Sequence, residues 1–140
     1  MIQVDHIIKS FDGTQVLQGI STVFEKGKTN LIIGQSGSGK TVFLKCLLGL
    51  FQTDSGKILF ENKAISEMTV NERSVLRQEI GMVFQGSALF DSMTVEENIM
   101  FPMQMFTDKE NDEIRDRANE VIKRVNLINA NEKFPDEISG

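Results

Sequence analysis

Thr29-Asn30-Leu31-Ile32-Ile33-Gly34-Gln35-Ser36-Gly37-Ser38-Gly39-Lys40-Thr41-Val42-Phe43-Leu44 is the stretch that decides the fold. A short apolar run ends on a glycine-rich loop, and the loop ends on Lys-Thr ahead of a helix-forming segment. Gly34 to Thr41 fits G-x-x-x-x-G-K-[ST], the Walker A pattern, at every defined position. Its glycines permit positive φ and keep side chains out of the concavity. Backbone N–H groups from about Gly37 to Thr41 then converge on phosphate oxygens. The start of the following helix adds partial positive charge there. Lys40 reaches the β- and γ-phosphates, and the Thr41 hydroxyl is placed to ligate Mg²⁺. The pattern points to nucleoside triphosphate binding through Gly34, Gln35, Ser36, Gly37, Ser38, Gly39, Lys40 and Thr41. By itself it does not separate kinases, GTPases, motors and transport ATPases.

Outward from the loop, Ile2–Phe11 reads as a strand with Ile2, Val4, His6 and Ile8 on one side. Asp12-Gly13-Thr14 is a turn, and Gln15–Glu25 a second strand with Ile20, Thr22 and Phe24 on one face. Thr29–Ile33 reads as a strand entering a buried sheet. A helix follows over Lys40–Leu50, then strands at Gly56–Phe60 and Ile80–Phe84. Capping boxes at Thr69–Glu72, Thr94–Glu97 and Thr107–Glu110 each open a helix. Pro102 is expected to kink or end the second of these. In the third, Ile114, Ala118, Val121 and Val125 form the apolar stripe. Glu113 with Arg117 and Glu120 with Arg124 pair on its wet face. Short β elements, strand–loop–helix, then helices predict an α/β fold.

The chain has 140 residues and a net charge of −5, with one cysteine, Cys46. That length is enough for a real core. The acidic balance argues against nucleic acid as a partner. The single cysteine excludes an internal disulfide and fits a reducing compartment. No apolar run approaches the roughly 18 residues of a membrane span, and the first residues lack a secretion-signal pattern.

Taken in order, these segments resemble the ATP-binding cassette (ABC) ATPases, the nucleotide-binding subunits of transporters, over essentially all 140 residues. The resemblance implies a P-loop NTPase (RecA-like) core with an N-terminal antiparallel β subdomain and a helical subdomain. Residues 1–85 would hold the β subdomain and the phosphate-loop part of the core; residues 86–140 would be the helical subdomain. Phe11 sits where the family has an adenine-stacking aromatic, and Val16 where it has an apolar residue flanking adenine or ribose; each also suits plain core packing. Ile80-Gly81-Met82-Val83-Phe84-Gln85 resembles the strand ending in the family's glutamine loop. Gln85 would contact Mg²⁺ or the attacking water, so that Lys40 and Gln85 are the implied catalytic residues and Thr41 and Gln85 the metal ligands.

Gly86–Asn98 resembles the segment that docks on a membrane permease subunit. The wording Ala88-Leu89-Phe90-Asp91-Ser92, then Thr94-Val95, Asn98 and Phe101-Pro102, is most similar to ATPases of phospholipid-trafficking (Mla/Mce-type) systems. Met100–Phe106, rich in Met and Phe, suits either a partner helix or interior packing. Ile138-Ser139-Gly140 resembles the first three places of the family signature, in which Ser139 and Gly140 would contact the γ-phosphate held by the other subunit of a homodimer.

The family's later aspartate and glutamate strand and its switch histidine have no counterpart; His6 is a strand residue ahead of the loop. The reading is therefore the N-terminal portion of an ABC ATPase whose C-terminal core strands are missing. It is expected to bind Mg-ATP weakly, to hydrolyse it negligibly alone, and to self-associate non-natively through unpaired strand edges. The full-length protein would work at the inner face of the plasma membrane. Two other readings stay open: a different P-loop enzyme such as a small-molecule kinase, and a non-catalytic nucleotide-binding or interaction module.

Overall fold

The computed structural model describes residues 1–84, 86 and 88–138. The chain forms two compact units, Met1–Met82 and Val83–Gly140. In the first, β1 (Ile2–Phe11), β2 (Thr14–Phe24), β3 (Ser55–Phe60) and β4 (Lys63–Ala64) make one antiparallel sheet in the order β2-β1-β3-β4. The β1–β2 turn is Asp12-Gly13, both at positive φ, with Phe11 paired to Thr14. That is the conformation a two-residue hairpin needs, and Asp-Gly supplies it.

The alternation expected for β1 fails at one place. Val4 is buried and so is Ile7, while His6 is exposed at φ 45°. The register against both β2 and β3 slips between Val4 and Ile8, a bulge that inserts an extra residue and turns Ile7, rather than His6, into the core. The His6 N–H donates to Ser21 Oγ at 2.9 Å. The bulge fits because its neighbours carry no Cβ: one added at Gly56 would lie 2.4 Å from the His6 carbonyl oxygen.

Helix α1 (Lys40–Leu47) buries Phe43, Cys46 and Leu47 against Val4, Ile7, Leu17 and Ile58 of the sheet. It ends earlier than expected, at Gly49 (φ 62°), whose N–H donates to Cys46 O at 2.9 Å. Arg77 of α2 (Val70–Glu79) closes that end by donating to Gly49 O at 2.8 Å. Leu76 of α2 joins the core with Ile65 of the preceding 3₁₀ turn and Met68, the residue just after that turn.

The Thr69–Glu72 capping box is present in full. Glu72 also pairs with Lys63. The Lys63 hydrogen bond first, and Thr69 second, pull the Glu72 carboxyl down to about 2 from an ordinary 4.5. A depressed carboxylate adds stability above its unfolded pKa and loses it as the pH falls through its folded value. The Glu72→Gln variant should therefore be less stable than the parent at neutral pH, and the gap should close between pH 4.5 and about 2. Urea melts across that range check this, and added salt should shrink the gap because the pair is exposed.

Neither Thr29–Ile33 nor Ile80–Phe84 is a strand. Among the described residues neither finds a ladder partner, and Leu31 and Val83 are 85% and 97% exposed. Apolar content alone does not hold an extended segment in a sheet; a neighbour must take its N–H and C=O groups.

In the second unit, α3 (Val95–Phe106) opens on the Thr94–Glu97 capping box and packs on α4 (Asn111–Arg124). Pro102 lies inside α3 without ending it. The third capping box does not form. Thr107 instead closes α3, its hydroxyl donating to Met103 O at 2.7 Å, and α4 starts after Glu110 with no side-chain cap. The α4 stripe is Ile114, Ala118 and Ile122; Val125 is 59% exposed. Among the described residues, Arg117 pairs with Glu120, and Arg115 with Glu96 of α3, in place of the expected i,i+4 pairs. No helix among the described residues is long and apolar enough to cross a membrane.

Candidate functional site

The glycine loop runs from Gly34 into α1. Ser38 N–H donates to Gln35 O at 3.2 Å and closes a turn. Gly37 and Gly39 hold φ of 78° and 90°. Gly39 is required for fit as well as for conformation. A Cβ there would stand 3.0 Å from Val16 Cγ1 and 3.2 Å from both Leu17 Cδ2 and the Val16 carbonyl oxygen. Val16 of β2 is thus brought against the loop, and β2 fixes where the loop turns into the helix.

The first intrahelical bond of α1 runs from Phe43 N–H to Gly39 O at 2.8 Å. The amides of Lys40, Thr41 and Val42 lie ahead of it, and Gly39 as N-cap has no side chain to occupy them. An ordinary Ser, Thr or Asp cap would fill this place. Here no side chain fills it. The Lys40 ammonium already sits within the loop, donating to Gly34 O at 2.8 Å and Gln35 O at 2.7 Å. A phosphate chain would offer this cation charged acceptors in place of neutral carbonyls, and charge-assisted bonds are about twice as strong. Gln35, Ser36, Gly37, Ser38 and Thr41 are exposed, so the loop opens to solvent. Helix amides that no side chain caps, the Lys40 ammonium within the loop and glycines at 34, 37 and 39 fit a phosphate tail.

Phe11 ends β1 and is 39% exposed. Its ring meets that of Phe51 edge-on, 5.4 Å between centroids at 66°. Lys9 Nζ lies 5.2 Å from the Phe11 ring centroid and donates to Asp54 Oδ1 at 2.7 Å. The other Asp54 oxygen accepts from Ser10 N–H at 2.6 Å. The Lys9 bond and then the Ser10 bond hold the Asp54 carboxyl below its usual range. No motif in the sequence joins Phe51, Lys9 and Asp54; the fold brings them together around Phe11.

In the second unit, Asn98 ties the α3 start to the segment before it. Its Oδ1 accepts from Phe90 N–H at 2.8 Å, and its Nδ2 donates to the Phe90 and Met93 carbonyls at 3.0 Å. Leu89 and Phe90 stay about half exposed. The Met/Phe run divides: Met100 is buried and Met103 packs beside it, whereas Met105 and Phe106 are exposed. Gln85, Ser139 and Gly140, named above from the family resemblance, lie outside the described residues.

The family model for ABC transporters matches residues 17–140. The chain is 37% identical over 139 residues to the probable ribonucleotide transport ATP-binding protein mkl of Mycobacterium tuberculosis, covering 99% of this chain and 39% of that protein. It is 35% identical over 140 residues to the methionine import ATP-binding protein MetN of Clostridium tetani, covering 100% of this chain and 44% of that one. The dimeric structure of MJ0796, a bacterial ABC transporter cassette, superposes with a TM-score of 0.88 at 26% identity, over 100% of this chain and 64% of that one. This chain therefore spans about two fifths of the length of the curated relatives named here, and its fold is that of the cassette ATPases, an α/β P-loop architecture. With a family match reaching from β2 to the last residue and containing the whole phosphate loop, the chain belongs to the ABC transporter family.

Proposed function

We propose that this chain supplies the ATP-gripping loop of a transporter's ATP-binding subunit, and that in the longer protein ATP binding and hydrolysis there power transport. One observation carries the reading: the Lys40 ammonium is held within a glycine cradle that opens onto the uncapped amides of α1. Gly34–Thr41 would wrap the triphosphate, and Phe11 and Val16 would take the base side. The exposed Thr41 hydroxyl would join phosphate oxygens around Mg²⁺, which supplies neutralising charge when bound. The roles of Gln85, Ser139 and Gly140 rest on the family resemblance alone. So does docking of residues 86–106 on a membrane permease, which would hold the protein at the cytoplasmic face of the plasma membrane. Pairing of two such subunits is supported by the dimeric MJ0796 cassette. We infer lipid as the cargo class from the wording of Ala88–Asn98 and Phe101-Pro102.

Calorimetric titration of the chain with Mg-ATP, inorganic tripolyphosphate and adenosine tests the central part. The reading requires weak, saturable binding of Mg-ATP, weaker binding of tripolyphosphate, and competition between them at one site. Binding of adenosine with no uptake of tripolyphosphate would refute it.

A further inference from the structure

We propose that Phe51 is a positioning residue for base recognition: it holds the Phe11 ring in place for stacking on the nucleotide base. The proposal rests on the reading of Phe11 as the base-stacking residue. Phe11 stands at a hairpin end, where a lone exposed ring would sample several rotamers. Ordering it upon binding would then cost affinity, and a ring already held avoids that cost.

Two side chains flank it, Phe51 and Lys9. Phe51 meets Phe11 edge-on at 5.4 Å, an arrangement that aromatic quadrupoles favour. Phe51 is itself anchored: it packs on the core, and its N–H donates to Lys45 O at the end of α1, 3.2 Å away. The Lys45 ammonium lies 5.2 Å from the Phe51 ring centroid. Lys9 Nζ, 5.2 Å from the Phe11 ring centroid, is tethered to Asp54, whose own N–H donates to Ile8 O at 2.8 Å. The link from α1 to β3 thus returns to β1 and braces the one ring that stays 39% open to solvent. Since α1 also carries the phosphate loop at its other end, the same helix ties the ring to the phosphate site.

The test compares Mg-ATP with inorganic tripolyphosphate in the 140-residue chain and its variants Phe51→Leu, Phe51→Tyr and Phe11→Ala. Phe51→Leu keeps an apolar side chain but loses the edge contact. It should weaken Mg-ATP by about two- to tenfold, the worth of one aromatic pair, and leave tripolyphosphate unchanged. Phe51→Tyr should restore the parent ratio. An equal loss for both ligands in Phe51→Leu means a merely structural role and overturns the proposal. So does an unchanged ratio in Phe51→Leu while Phe11→Ala lowers it. An unchanged ratio in Phe11→Ala removes the stacking role of Phe11, and with it the proposal, while leaving the phosphate site standing.

Discussion

Lys40→Ala should lower the affinity of the chain for Mg-ATP by about 100-fold, from the loss of charge-assisted bonds worth about 1.5–3 kcal/mol each. The side chain acts twice. It bonds the Gly34 and Gln35 carbonyls, which holds the loop closed on itself, and it belongs to the first residue of α1, whose opening amides no side chain caps. Removing it takes away an ionic partner and loosens the cradle that directs the amides. The fold should survive, because Lys40 contributes nothing to the apolar core. The pattern expected is a parent-like thermal midpoint with lost binding in a fluorescence or calorimetric titration. Parent-like affinity in this variant would remove the loop from the binding account.

The second large effect concerns stability. Gly56→Ala should destabilise the first unit by about 2–5 kcal/mol, from strained backbone plus overpacking. Gly56 holds φ 81°, and an added Cβ would lie 2.4 and 2.5 Å from the carbonyl oxygens of His6 and Asp5. Those are backbone atoms inside a bulge, and no side-chain rotation relieves the clash. A matched control separates conformation from contact. Gly13 holds a similar φ of 78° with nothing within 4 Å of its added Cβ. Gly13→Ala should therefore cost about 1 kcal/mol, the price of the left-handed region alone. Denaturant melts of both variants decide the matter; equal losses would show that the bulge does not press on β3. In a small domain whose whole stability is about 5–15 kcal/mol, the larger loss should also appear as poor soluble yield.

What was legible in the sequence shares one property: it is decided within a few residues. The phosphate loop, the Asp12-Gly13 hairpin and the Thr69 and Thr94 capping boxes each bring their partners along in the next turn of chain. The misreadings come from longer range. The bulge at His6 exists because Gly19 and Gly56, far along the chain, leave room for it. Thr107-Asp108-Lys109-Glu110 has the letters of a capping box, but the Met103 carbonyl behind it claims the hydroxyl first. Ile122, not Val125, completes the α4 stripe: tertiary burial leaves Ile122 4% and Val125 59% exposed, a choice that periodicity leaves open. The β3–β4 hairpin turns on Glu61-Asn62, both at positive φ, and Glu is a poor advertisement for such a turn. Thr29–Ile33 reads as a strand entering a buried sheet because apolar content reports what a segment could bury, not whether another strand pairs with it.

At the site, the same division holds. Lys40, Thr41 and the glycines announce themselves, whereas Phe51, Lys9 and Asp54 gather around Phe11 only once α1 returns the chain to β1.

The central claim is that uncapped amides of the loop and of the first turn of α1, with Lys40 among them, hold a triphosphate. Amide-resolved NMR of ¹⁵N-labelled chain during a tripolyphosphate titration tests it most directly. The account predicts saturable shifts concentrated at Gly37, Ser38, Gly39, Lys40, Thr41 and Val42, absent in Lys40→Ala. Shifts scattered over surface lysines, or the same loop shifts in Lys40→Ala, would contradict it.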